Sequence, residues 1–441
     1  MPDSTNPLLP SEPLRDTQNK GKKNKGKKNK GKSQTEVTTP ATRSEIVANK
    51  DNEQKAKRKR RNKIIRRSVA LVIVILMIPI GWSMYQALSA PGTDRWQVRV
   101  VEWFRDHGMN SAINTVEHWW YSENPPPKGG TVKGGLPEKK TDQGSVSVAG
   151  SYAPFLNAVP HLSAPTNMIP LVADPLAGEG VWQPTGRQVA GYPAVYQTFF
   201  RPDTIHTSLV AGAMWLDTSL LKADYVVGLN EPPNGPKPWG AKIPEEFRPS
   251  LVAAFNSGFK MNAARGGVFT LGQMVTPLAD GAASLVIDTA GKASVGLWGR
   301  DFVMGPSISS VRQNLALLVD NGEVAPGIPN NTNGAWGATL GNKVFVWRSG
   351  VGTTATGAMV YVGGPGLNAQ SLAILLQRAG AVRAMELDIN TDWVSAYTYS
   401  SEFLADPAQV TGTKLLPEMV RGGDRYLVPG ERDFFSFFGV R

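Results

Sequence analysis

Between Ser68 and Leu88 the chain reads Ser-Val-Ala-Leu-Val-Ile-Val-Ile-Leu-Met-Ile-Pro-Ile-Gly-Trp-Ser-Met-Tyr-Gln-Ala-Leu, without one charged side chain. About 20 such residues in a helix reach across a hydrocarbon layer roughly 30 Å thick. A run of this kind divides whatever precedes it from whatever follows. The basic stretch Lys55–Arg67 flanks its N-terminal side, and Trp82 and Tyr85 lie towards the other end. Positive flanks stay in the cytoplasm and amphipathic rings favour the interface. The reading is a single-pass transmembrane helix over 68–88, with the N-terminus cytoplasmic and everything after Ala90 extracellular. A cleaved signal peptide fits poorly, because the basic region is very long and the apolar run exceeds an ordinary h-region.

Charge is distributed as unevenly as hydropathy. The whole chain carries a formal +11. Met1–Arg67 holds 20 Lys and Arg against 7 Asp and Glu. The basic character therefore belongs to the tail, and the ectodomain gives no reason to expect nucleic acid as a partner. With almost no aromatic or β-branched clusters, 1–67 reads as a disordered basic cytoplasmic tail. Lys20–Lys32 repeats a Lys-Gly-Lys-Lys-Asn unit. The run abutting the apolar segment suits contact with anionic membrane lipids. After the apolar helix, 89–121 has helical spacing of Trp96, Val100, Val101, Trp103 and Phe104, then Ile113, Val116, Trp119 and Trp120, with Gly108 as the break. This predicts juxtamembrane amphipathic helices that lie on lipid or pack on the ectodomain. The Pro-, Gly- and Lys-rich stretch 122–150 reads as a linker.

The remaining 151–441 is rich in β signals. Ala194–Arg201, Leu209–Leu216, Leu251–Phe255, Leu285–Ile287, Ala293–Leu297, Ala316–Val319, Val344–Trp347 and Ala358–Val362 all read as strands. Asp320-Asn-Gly322 is a strong hairpin turn. The clearest helix starts at Asn368 as cap, carries Leu372, Leu375, Leu376 and Ala379 on one stripe, and stops at Gly380. The predicted class is α+β: a mixed, largely antiparallel sheet with packed helices, preceded by a disordered tail and one transmembrane helix. The chain has no cysteine, which excludes disulfides, thiol catalysis and Cys-ligated zinc. Its four histidines, His107, His118, His161 and His206, share no ligand spacing.

Two stretches carry candidate chemistry. From Met385 to Asn390 apolar and polar residues alternate, so Glu386 and Asp388 share one face of a strand, about 6.6 Å apart at Cα. Like charges at that spacing raise at least one pKa unless a cation lies between them. The plain alternative is a strand whose acids face water. The second stretch is an apolar strand running into Asn256-Ser-Gly258-Phe259, where glycine admits close backbone approach and Asn256 offers both a carbonyl and an amide.

In order and spacing these two stretches resemble the phosphodiester glycosidase family. Its first motif reads close to Asn-Gly-Gly-Phe-Phe, here Asn256-Ser-Gly-Phe-Lys260. Its late motif reads Leu-Asp-Gly-Gly-Gly-Ser, here Leu387-Asp388-Ile389-Asn390-Thr391-Asp392, which keeps the Asp and not the glycines. Trp336-Gly-Ala-Thr-Leu-Gly341 is a loose counterpart of the family's Arg-Thr-Ala-Ile-Gly, without the Arg. The resemblance spans Thr198–Thr398 and looks like a bacterial, membrane-anchored branch. It implies a 151–441 ectodomain that hydrolyses sugar-1-phosphodiester linkages in cell-envelope or exopolysaccharide material, with carbohydrate phosphodiester as partner.

Cleavage at an anomeric carbon builds positive charge that a carboxylate stabilises. Asp388 is then the expected nucleophile or base and Glu386 its acid/base partner. Gly258 and Phe259 belong to the substrate-binding turn. Arg265 and Arg312 are candidates for the phosphate, Asn256 and Asn390 for sugar hydroxyls or phosphate oxygen, Trp336 and Trp393 for a sugar face. No cofactor is required. A Ca²⁺ or Mg²⁺ held by Glu386, Asp388 and Asp392 is the alternative use of these oxygens. The competing expectation is a non-catalytic, degenerate domain that binds envelope glycans or organises the surface. A further one makes the basic tail the functional element, as a tether to lipid or nucleoid.

Overall fold

A computed structural model of the chain describes residues 43–90, 94–137, 159–329, 334–337, 345–400 and 406–440. The chain divides into two compact units, Met1–Ile78 and Pro79–Arg441. Helix α1 runs Arg43–Ser89, so it includes part of the segment predicted to be disordered. Lys55–Arg67 is rich in good helix formers and joins the apolar run without a Gly or Pro to stop it. Residues 1–42, the Lys20–Lys32 repeat among them, lie outside the described residues, as do 138–150 of the linker and 338–341 of the loose third motif. Helix α1 contains a window, within 47–89, long and apolar enough to cross a membrane, and none of that window is buried among the described residues.

Helix α2, Trp96–Phe104, and helix α3, Asn110–Glu123, follow. They are interrupted where His107 and Gly108 leave helical geometry, Gly108 with φ 86°. The hairpin is amphipathic with an unexpected polarity. Arg99 and Glu102 are buried, while Trp96, Val116, Trp119 and Trp120 are exposed.

Among the described residues the β-rich part forms three sheets of eight, five and five strands, and every strand pair in them is antiparallel. The predicted mixed helix and antiparallel sheet is thus the observed class. In the large sheet Val346–Thr354 lies between Met359–Leu367 and the acidic strand Ala381–Ile389. The helix Ala369–Arg378 joins the last two. Its Asn368 side chain accepts from the Ser371 amide at 2.8 Å, and Ser371 Oγ accepts from the Asn368 amide at 2.9 Å, a reciprocal cap. Leu372, Leu375, Leu376 and Ala379 are all buried. Gly380, at φ 94°, turns the chain into the acidic strand. The Asp320-Asn-Gly322 turn also forms, with positive φ at Asn321 and Gly322 and Asp320 paired to Glu323.

A second sheet carries Leu251–Asn256 between Ala396–Tyr399 and Phe434–Gly439. One apolar cluster includes Phe255, Phe435 and Phe437 of this sheet together with Met385 and Leu387 of the large one. The two sheets therefore share a core, and that packing brings the end of the asparagine strand to the end of the acidic strand.

Candidate functional site

The two motifs meet through backbone and serine. The Asp388 amide donates to the Ser257 carbonyl at 2.9 Å. Ser349 Oγ donates to the Asp388 carbonyl at 2.8 Å, and Asn256 Nδ2 donates to Ser349 Oγ at 3.0 Å. Asn314 ties the other end: its Nδ2 donates to the Glu386 carbonyl at 2.8 Å and its Oδ1 accepts from the Phe259 amide at 3.2 Å. A Cβ on Gly258 would sit 2.9 Å from the Asn314 side chain, so glycine is what allows this approach.

Asn256 is a structural hub. Its Oδ1 accepts from Tyr361 OH at 3.0 Å and the Ser395 amide at 3.1 Å. Little of that side chain remains for a ligand. Arg312 is buried and donates to Asp433 Oδ2 at 2.7 Å and to the Phe259 carbonyl at 2.5 Å. Both contacts hold the turn rather than open outward. Arg265 is exposed, in left-handed geometry at φ 51°. Trp336 is buried in the core and donates Nε1 to the Leu317 carbonyl at 3.0 Å. Asn390 lies past the strand at φ 97°, its Oδ1 accepting from the Asp392 amide at 3.1 Å.

The two acids differ in their surroundings. Glu386 is 0 % exposed and paired with Arg348. Burial pushes its carboxyl up and Arg348 pulls it down. Asp388 is 7 % exposed, and Arg432 Nη2 lies 2.5 Å from its Oδ2. Burial raises Asp388 to about 7, with Arg432 working in the opposite direction. A carboxyl there is poised to hold or release a proton near neutrality.

Around Asp388 gathers a basic cluster that sequence reasoning missed. The guanidinium carbons of Arg421, Arg425 and Arg432 lie 5.2, 5.5 and 5.0 Å from the Trp393 ring. Cations over an aromatic face are attracted by its quadrupole. Trp393 is thus covered by arginines and offers no bare face to a sugar. Burial and the neighbouring Arg425 push Arg421 down. The signal was present in the sequence. Glu431-Arg432-Asp433 stands directly before a phenylalanine-rich strand, with Arg421-Gly-Gly-Asp-Arg425 a short way upstream, where charges are buried only if paired.

The segment that follows α1 supplies the facing acids. Asp94 Oδ1 lies 2.5 Å from Arg421 Nη2 and 3.5 Å from Arg425 Nη1. Lys260, the last residue of the first motif, pairs with Glu102 at 2.5 Å and Asp106 at 2.7 Å. Glu431 is raised to about 7 by burial and by Asp94 and Glu102. Burial likewise raises Asp392, against the pull of Arg421.

The divalent-cation expectation finds no cage. Among the described residues no group of three or more His, Asp or Glu side chains is placed to hold a metal, Glu386, Asp388 and Asp392 included. An arginine occupies the carboxylate face of each strand acid, where a cation would have to sit.

A family comparison reaches the residues of the first motif and Asp388. Residues 250–388 match the family model described as phosphodiester glycosidase. Among solved structures, the catalytic domain of zebrafish N-acetylglucosamine-1-phosphodiester alpha-N-acetylglucosaminidase, auto-inhibited by its pro-peptide, is similar at 13 % identity. That match has a TM-score of 0.37 and covers 59 % of this chain and 88 % of the zebrafish one. A hypothetical protein from Synechocystis is similar at 12 % identity and TM-score 0.33, covering 58 % of this chain and 64 % of that one. No curated protein matches. The stretch 250–388 is thus similar to the phosphodiester glycosidase family; it contains the Asn256–Lys260 motif and ends on Asp388, within the late motif.

Proposed function

We propose that this chain is a membrane-anchored, extracytoplasmic glycosidase that hydrolyses a sugar-1-phosphodiester. The observation that carries the reading is Asp388. It closes the family-matched stretch, meets the Asn256 turn, and has a carboxyl near its titration point beside a buried cation. In its ionised form Asp388 stabilises positive charge at the anomeric carbon, as nucleophile or as base toward water. The departing phosphate is a stable anion, so a cation serves it better than a strong general acid. Arg432 stands beside Asp388 for that task. Glu386 fits a positioning role: sealed under Arg348, it fixes the strand that presents Asp388.

Anchoring is supported by the uncovered apolar window of α1 and by the exposed Trp96, Trp119 and Trp120 that follow it in sequence. The substrate would be envelope or exopolysaccharide material carrying a sugar phosphodiester.

The test is turnover of the full chain in detergent micelles on an N-acetylglucosamine-1-phosphodiester. Released N-acetylglucosamine supports the reading. Tight glycan binding without release of sugar, unchanged in Asp388→Asn, would instead establish the non-catalytic glycan-binding reading. That alternative draws on Ile389, Asn390 and Thr391 standing where the family has glycines.

A further inference from the structure

Arg421 and Arg425 lie after the family-matched stretch, and the chemistry above gives them no part. Both are buried, beside Arg432 and over Trp393. Burying guanidinium groups together is costly unless an anion joins them. The anion present is Asp94, and it fits incompletely. A single oxygen, Oδ1, faces both Arg421 and Arg425. Its other oxygen, Oδ2, is buried without a hydrogen-bond partner, and so are Arg425 Nε and Arg432 Nε. Arg432 is paired with Asp388 and Arg421 Nε donates to the Asp392 carbonyl at 3.0 Å, while Arg421 and Arg425 share one oxygen of Asp94. A tetrahedral oxyanion carries more acceptor oxygens and meets such donors bidentately.

The carboxylate comes from a separable element. Asp94 immediately precedes α2, whose Glu102 pairs with Lys260 beside the first motif. Both clamps are charge pairs, and the outer face of the hairpin holds exposed tryptophans rather than a second core.

We infer that Arg421 and Arg425, backed by Trp393, form a binding site for the phosphate of a sugar phosphate, which Asp94 of the juxtamembrane segment fills in this structure. The inference rests on the glycosidase reading for the sugar, and stands on the arginine cluster alone for the phosphate. Release of the 94–123 segment opens the site, and its return closes it.

The experiment measures inorganic phosphate binding to the full chain in nanodiscs by calorimetry, for the parent and for Asp94→Asn. The expected result is at least tenfold tighter binding in Asp94→Asn. Adding Arg425→Gln to that variant, or Arg421→Lys should the glutamine fail to fold, abolishes the gain. Equal phosphate affinity in parent and Asp94→Asn overturns the site, as does a gain that survives both arginine changes. A second arm compares N-acetylglucosamine 1-phosphate with glycerol phosphate, the headgroup chemistry of a lipid. Tighter binding of the sugar phosphate supports the assignment, and preference for glycerol phosphate overturns its sugar part. Phosphate binding without turnover leaves the site standing and removes the hydrolase. Turnover that ignores Asp94 and both arginines does the reverse.

Discussion

The acidic strand carries two carboxylates that look alike in sequence and differ in physics. Glu386 and Asp388 alternate with Met385 and Leu387, and each has an arginine across from it. Glu386 sits inside the large sheet, opposite Gly350, in a pair that is sealed on both sides. Asp388 sits where the strand runs out, facing Arg432 and within reach of the charges of Glu102 and Asp433. The first pair is architecture. The second is a charge balance that a ligand or a proton can change. The lesson is that position along one strand, and not residue type, separates a sealed carboxylate from one whose charge balance a proton can change.

The inner pair should be broken first. Arg348→Ala leaves Glu386 as an uncompensated buried charge, which costs about 3–5 kcal/mol. Denaturant unfolding of the solubilised chain checks this, and Arg348→Met with Glu386→Leu should recover most of the loss. At the outer end, Asp388→Asn should leave unfolding within about 1.5 kcal/mol of the parent, the range of one hydrogen bond. Turnover should nonetheless fall at least about a thousandfold, as for removal of a group acting on the reacting bond.

Acidity sharpens the contrast further. Asp388 and Glu431 are raised to about 7, and Asp224 to about 6, all by burial. Between the ordinary carboxylate range near pH 4 and those values the folded chain binds more protons than the unfolded one. The stability these groups allow is full below about pH 4 and declines as pH rises through 6 to 7. Thermal melts from pH 5 to 8 should show that decline, and Asp388→Asn should flatten part of it. The smallest effect belongs to the helix that delivers the strand. Asn368→Ala removes the reciprocal cap and should cost about 1 kcal/mol without changing the pH profile of turnover.

What the sequence made legible was local. The Asn368 cap, the leucine stripe and Gly380 lie within one helix, and the Asn321-Gly322 turn within one hairpin, so neighbouring residues suffice to fix them. The pairing of the two motifs followed from their likeness to a family. The arginines did not. Arg432 is 44 residues from Asp388, and Arg312 is 121 from Asp433. Such pairs depend on two sheets sharing a core, which no periodicity encodes. The same gap explains the hairpin after α1. Helical spacing finds its tryptophans, yet the face that packs carries the buried Glu102, which meets Lys260 far along the chain.

The most direct measurement is the pH dependence of turnover for the parent chain and Asp388→Asn on an N-acetylglucosamine-1-phosphodiester. The account predicts that parent activity rises with pH through a midpoint near 7, as the Asp388 carboxyl ionises, and that the variant is inactive at every pH while still folded. A folded Asp388→Asn chain that turns over substrate with the same rate and the same midpoint would contradict it.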